Sequence, residues 1–69
     1  MRRIRVRSSA ITSIGYSRKR RVLEIEFRSG SIYRYHDVEP EIYEALLNAV
    51  SKGRFFSFNI RGAYPCERM

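Results

Sequence analysis

Leu23, Ile25 and Phe27 alternate with Glu24, Glu26 and Arg28 at the centre of the chain. That two-residue period is the pattern of a strand with one face on a core. Ser29-Gly30 follows, and Ser31-Ile32-Tyr33-Arg34-Tyr35-His36 predicts the second arm of a hairpin. Upstream, Ala10 to Tyr16 is rich in β-branched residues and carries no helix signal, so it predicts another strand. Gly15 inside that strand marks a bulge or a close approach of backbone. Ile4 and Val6 alternate with arginines at the start of the chain. Residues 1–7 therefore read as a basic N-terminal arm or an edge strand, and four arginines in seven positions favour the arm.

The hairpin has two conceivable parities. A loop of Ser29-Gly30 alone would put Tyr33 and Tyr35 on the Glu24/Glu26 face and seat Arg34 beside Leu23 and Ile25. A loop of Arg28-Ser29-Gly30 instead sets Leu23 opposite Tyr35, Ile25 opposite Tyr33 and Glu24 opposite Arg34. Burying an arginine costs far more than burying a tyrosine whose hydroxyl stays at the rim. The three-residue loop is therefore expected, with Gly30 in the left-handed conformation. Tyr33 and Tyr35 should then serve the core first.

Pro40 suits the first position of a helix, where its missing N–H has no partner to lose. Glu39, Glu41 and Glu44 place negative charge near the helix N-terminus. Ile42, Ala45, Leu46, Ala49 and Val50 form an apolar stripe at helical spacing, and Lys52-Gly53 is expected to end it. Val38 and Tyr43 stand where a hydrophobic staple would fix the entry of the chain. In the tail, Ser51 as a cap and Gly62 as a stop predict a short helix. Phe55, Phe56, Phe58 and Ile60 are too apolar for a loose end. The expected architecture is α+β: a three-stranded antiparallel meander, then an α-helix and a short C-terminal helix packed on one face. Residues 8–69 make a single domain.

Sixty-nine residues hold one small core at most, and 43% hydrophobic composition is that of a folded chain. One cysteine excludes an internal disulfide framework, and no apolar run approaches the length of a membrane span. Met1-Arg2-Arg3 leads into further arginines and not into the apolar run of a secretory signal. A cytoplasmic, monomeric protein without membrane contact is the expectation. Charge narrows the picture further. Fourteen Lys and Arg against seven Asp and Glu give +7. Residues 24–44 hold six acids and two bases, a net of −4, so the remainder carries twelve bases and Glu67, a net of +11. Twelve of the fourteen bases of the whole chain are arginine, whose fork suits phosphate.

The succession of signals resembles the KTSC domain family, named for its occurrence at the C-terminus of some lysyl-tRNA synthetases and found also as small stand-alone bacterial proteins. The resemblance rests on Ser8-Ser9-Ala10-Ile11, Ile14-Gly15-Tyr16, Leu23-x-Ile25-x-Phe27-x-x-Gly30, Tyr33-x-Tyr35, Val38, Tyr43-x-x-Leu46, Ser51-x-Gly53 and Ile60-Arg61. It runs from about Ser8 to Tyr64. It implies a domain suspected of RNA binding and brings no catalytic residue with it. Two features depart from the family pattern: the connection Ser17 to Arg21 is more basic, and Val38-Glu39-Pro40 stands where Val-Pro is common.

The candidate chemistry is therefore phosphate contact. Arg18, Lys19, Arg20 and Arg21 lie on one connection, and Arg3, Arg5, Arg54 and Arg61 are expected to join them in gripping a nucleic-acid backbone, RNA first, with tRNA as one candidate that the family resemblance adds. Their bland counterpart is a solvated charge run that keeps a small protein in solution. Tyr33 and Tyr35 could stack on unpaired bases, but a place in the core is the stronger expectation. No metal ligation, cofactor or phosphate-cradling glycine loop is expected: His36 and Asp37 are adjacent and Cys66 is thirty residues away. The leading expectation is a non-catalytic RNA-binding domain. A protein partner meeting the acidic helix or the basic arm is the first alternative. A small ribonuclease built from His36, Tyr33 or Tyr35, and Arg34 is the second.

Overall fold

The structure is a computed structural model that describes residues 1–69. Five strands form one antiparallel meander in sequence order: β1 (Arg3–Arg5), β2 (Ile11–Ser17), β3 (Val22–Phe27), β4 (Ile32–Tyr35) and β5 (Cys66–Arg68). Two helices, α1 (Pro40–Asn48) and α2 (Lys52–Asn59), come between β4 and β5. The α+β class and the meander are as expected, but the sheet has five strands and not three. Arg3–Arg5 is a paired edge strand, with Ile4 opposite Ile14, and so not a free arm. At the other edge, Cys66–Arg68 returns antiparallel to β4. Three exposed residues without apolar alternation gave no strand signal of their own; pairing with β4 makes them one.

The β3–β4 register is the three-residue-loop one. Leu23 pairs with Tyr35, Glu24 with Arg34, Ile25 with Tyr33, and Phe27 N–H donates to Ser31 O at 2.9 Å. Gly30 has φ of +95° and sends its N–H back to Phe27 O, which closes the turn. Side chains of one parity thus face the helices: Ile14, Leu23, Ile25 and Tyr35 are buried there with Val38, Leu46, Phe56 and Ile60. Ile11 joins them across a register shift between Ile11 and Ser13. This small cluster, with Tyr16, Phe27 and Tyr33 half-buried at its margin, is the whole core.

The helices cover the sheet more briefly than the stripe of apolar positions suggested. α1 buries Leu46 and packs Ile42, Tyr43 and Leu47, whereas Ala45 is exposed and Val50 fully so. The chain leaves the helix at Ala49 in an extended conformation, because Ser51 must be free to cap α2 by accepting from the Arg54 N–H at 3.3 Å. Lys52 and Gly53 consequently begin α2 instead of ending α1. α2 buries Phe56, holds Phe55 at the core margin and leaves Phe58 79% exposed, against the expectation that all its aromatic residues pack. Tyr16 stacks on Tyr43 at 4.6 Å and donates its hydroxyl to Val38 O at 2.5 Å, fixing the entry to α1.

Gly15 answers the question its sequence position raised: the irregularity of β2 lies nearer Ile11, and Gly15 marks a close approach. A Cβ there would stand 2.9 Å from Arg2 O and 2.9 Å from Arg3 Cγ. Backbone cannot give way as a flexible side chain can, so Gly15→Ala should push β1 off the sheet. We expect a loss of about 1–3 kcal/mol, the usual cost of overpacking. Faster amide exchange confined to the β1–β2 pairing should accompany it, while β3–β4 protection is retained. Uniform acceleration across all five strands would contradict this local account.

Candidate nucleic-acid interface

Parity also builds the other face of the sheet. Arg3, Ser13, Glu24, Glu26 and Arg34 project there, opposite the helices. Glu24 is only 4% exposed although no helix lies over it. The side chains of Arg3 and Arg34 cover it: Arg34 Nε donates to Oε1 at 2.8 Å and Arg3 Nη1 to Oε2. Arg3 Nε also donates to Ser13 Oγ at 3.0 Å, and that hydroxyl donates to Glu26 at 2.8 Å. Burial pushes the Glu24 carboxyl up, but the guanidiniums of Arg34 and Arg3 outweigh it and hold the group below its ordinary value. One carboxylate thus fixes two arginines side by side, and the triad keeps a net positive charge.

Next to this triad, at the end of the sheet where β2 turns into β3, lies a cleft of about 720 Å³. Arg2, Arg20, Arg34 and His36 line it with the Ser17 hydroxyl and an apolar wall that includes Val22, and no acid is among its lining residues. Glu24 engages only Nε of Arg34, which leaves the two terminal nitrogens of that guanidinium without a protein partner. His36 meets Glu67 at 3.4 Å on the far rim.

The loop that supplies Arg20 to the cleft is the basic connection read in the sequence. Ser17 pairs with Val22, so Arg18, Lys19, Arg20 and Arg21 form a four-residue turn, and all four are exposed. The Arg20 N–H donates to Ser17 Oγ. Arg21 sits at φ of +55°, and its carbonyl accepts the Val38 N–H at 3.0 Å, which ties the turn to the entry of α1. Arg18 bends toward α1 and pairs with Glu44 at 2.9 Å. Lys19, Arg20 and Arg21 make no ion pair.

The eight basic residues proposed from the sequence do not form one patch. Arg3 is on the open face, held by Glu24, and Arg5 is exposed further along the β1 edge. Arg54 is in the first turn of α2, where neighbouring Gly53 approaches Ala10 at the opposite end of β2 from the basic turn. Seven residues of strand separate those ends, roughly 20 Å. Arg61, past α2, lies with its Cζ 6.0 Å from the Phe56 ring centroid. Arg34 and His36 are the cleft residues that sequence reasoning left out of the interface, and Arg2 entered it only as part of a basic arm; the pairing of β1 brings Arg2 to the cleft, and strand parity turns Arg34 and His36 the same way. The same parity divides the residues named for a ribonuclease, since Tyr33 and Tyr35 face the helices while Arg34 and His36 line the cleft. Of the acidic residues of α1 and its cap, Glu44 is taken by Arg18 and Glu39 accepts from the Tyr64 hydroxyl at 3.2 Å.

The sequence model of the KTSC domain matches residues 7–64. An uncharacterized protein of Stutzerimonas stutzeri is 47% identical over 57 residues, which cover 83% of this chain and 80% of that one. The lysine–tRNA ligase of Nostoc punctiforme is 43% identical over 61 residues; these are 88% of this chain and 11% of the ligase. The crystal structure of a KTSC domain protein from Yersinia pestis superposes with a TM-score of 0.96 at 43% identity, covering 99% of this chain and 96% of that one.

The triad makes stability acid-sensitive in a defined direction. Glu24 has a depressed folded pKa, so its contribution is complete above the unfolded carboxylate value, about 4.3, and fades as pH falls through the lower folded value. Glu24→Gln should remove that dependence while leaving two arginines without their shared acceptor. At pH 7 the variant is expected to be less stable by about 2–4 kcal/mol, and the gap to the parent chain should narrow as pH is lowered from 5 toward 2. Urea midpoints measured across that range test it. A gap that widens on acidification would contradict the assignment of the depressed carboxyl to Glu24.

Proposed function

The chain belongs to the KTSC domain family, and we propose that it is a small non-catalytic RNA-binding domain that grips the phosphate backbone through the basic turn Arg18–Arg21 and the cleft beneath it. The observation that carries this reading is the cleft lined by Arg2, Arg20, Arg34 and His36 without an acidic residue, next to a turn on which Lys19, Arg20 and Arg21 are exposed and make no ion pair. Several phosphate oxygens can be met there at once by guanidinium groups, one of which, that of Arg34 on β4, is held in place by Glu24. The name of the Nostoc relatives, lysine–tRNA ligase, points to RNA as the polyanion, because in them this domain forms 11% of an enzyme that handles tRNA. Protein docking on the acidic residues of α1 has weaker support, since Glu39 and Glu44 already have partners within the chain.

Backbone binding of this kind depends on counterion release and is therefore steep in salt. With about four to six phosphates engaged on a single strand, log affinity should fall with log salt at a slope of about −3 to −4. Replacing Lys19, Arg20 and Arg21 together by Gln should flatten the slope by about 2, because three contacts are lost. Arg18→Gln should change it less, Glu44 having already engaged that guanidinium. Fluorescence anisotropy with labelled single-stranded RNA, tRNA and duplex DNA at several salt concentrations measures all of this. A flat response, or no binding at low salt, would sink the reading. RNA that is cleaved by the pure protein would establish the enzyme alternative in its place.

A further inference from the structure

Four aromatic rings form a closed cycle on the helix side of the sheet. Phe27 meets Tyr33 at 6.0 Å and Phe56 at 5.1 Å, both edge to face. Tyr35 meets Phe56 at 5.6 Å edge to face, and Tyr33 stacks on Tyr35 at 6.4 Å. These rings are not sealed from solvent: together they line a recess of about 390 Å³ between the β3–β4 loop, β5 and the end of α2. That volume is in the range of small-molecule sites.

The polar groups at the recess all ask for the same kind of partner. Tyr16 and Tyr64 donate their hydroxyls within the protein, but those of Tyr33 and Tyr35 have no protein acceptor and are not sealed off. For a side chain as buried as Tyr35, contact with solvent runs through the recess that it lines. Burial pushes the Tyr35 hydroxyl up to about 12, so it remains a donor at neutral pH. Arg61 lines the recess with no carboxylate partner, and Arg68 stands at the rim, its Nη2 3.2 Å from Ser31 Oγ. No acidic residue lines the space. Aromatic walls, free hydroxyls and two unneutralised guanidiniums suit a flat ring with acceptor edges that carries a negative charge.

We propose that this recess receives one unpaired nucleobase of a single strand of RNA, with the adjoining phosphate held by Arg61 and Arg68. The proposal rests on the RNA-binding reading and adds to it a site at which bases, and not only phosphates, are felt. The two surfaces lie on opposite faces of a body measuring 28 × 23 × 22 Å. A strand of about ten nucleotides, within the usual range for single-strand sites, is long enough to reach both.

The test compares a ten-nucleotide RNA with a phosphodiester strand of equal length and charge that lacks bases. The base-bearing strand should bind about tenfold more tightly, as one stacked base commonly provides. Arg61→Gln, at an exposed position, and Tyr33→Phe, which keeps the ring, should each shrink that ratio without moving the melting temperature by more than a few degrees. Gln at Lys19, Arg20 and Arg21 should weaken both strands and leave the ratio intact. Equal binding of the two strands, or a ratio that survives both recess variants, would overturn the proposal while leaving backbone binding in place. If neither strand binds, the RNA reading falls and uridine monophosphate at millimolar concentration decides about the recess alone. Shifts of the Tyr33, Tyr35 and Phe56 ring resonances that vanish in Arg61→Gln uphold it, and unshifted rings overturn it.

Discussion

The register of one hairpin governs the chemistry of both faces. With Gly30 in the left-handed region, Arg28-Ser29-Gly30 closes the turn and Ile25 falls opposite Tyr33. Shift the pairing by one residue and every side chain of β4 changes sides. Arg34 would then be driven among Leu23 and Ile25, and Tyr33 and Tyr35 would be left on a face with no helix to cover them. The free-energy gap between those arrangements is dominated by the desolvation of a guanidinium. In the adopted register that guanidinium becomes half of the clamp on Glu24, so a penalty avoided on one face is an ion pair formed on the other.

Glu24 matters because the open face has no other device for holding its charges. Arginines on an exposed sheet surface ordinarily gain little from pairing. Here two of them flank one carboxylate that they themselves shield from water, and Ser13 and Glu26 extend the hydrogen bonding along the strands. Because two arginines share the one carboxylate, it restrains Arg34 while the triad keeps a net positive charge beside the space that Arg34, Arg2, Arg20 and His36 line.

Alternation and turn chemistry were enough to read β2, β3 and β4 as strands and to set the register of β3 against β4, because a mistake of one residue there would bury Arg34. The start of α1 was legible from Pro40, and the existence of α2 from Ser51 and Gly62. What stayed hidden are the features whose cause is remote in sequence. β5 is a strand only because Tyr33 and Tyr35 offer it an edge, and β1 only because Gly15 lets the Arg2 carbonyl come close. The burial of Val50 and Phe58 was overestimated since local spacing says nothing about where α1 must stop for Ser51 to cap the next helix. The basic residues were identified by composition, but their division between the cleft and α2 follows from the positions of the sheet ends. Arg34 and His36 stood in the sequence only as candidates for RNA cleavage, and parity placed them beside Arg20 as lining of the cleft.

A core of nine buried residues leaves little room for a site that strains the fold. This chain places its chemistry where the fold already needs the same residues. The aromatic cycle closes the gap between sheet and α2, and its half-exposed edges are the recess; Arg34 satisfies Glu24 with one nitrogen and keeps the others free. The cost of ordering those side chains is met by folding, so a ligand arriving at either surface finds groups already oriented, and less of its binding free energy is lost to fixing them. The exceptions are Lys19, Arg20 and Arg21, exposed on a turn that a single backbone hydrogen bond ties to Val38. Long, exposed and unpaired cations suit the one task that needs no fixed geometry, the release of counterions along a phosphate chain. On the proposed reading, held groups would recognise and loose ones would only neutralise, a division that a domain of 69 residues can sustain on one small core.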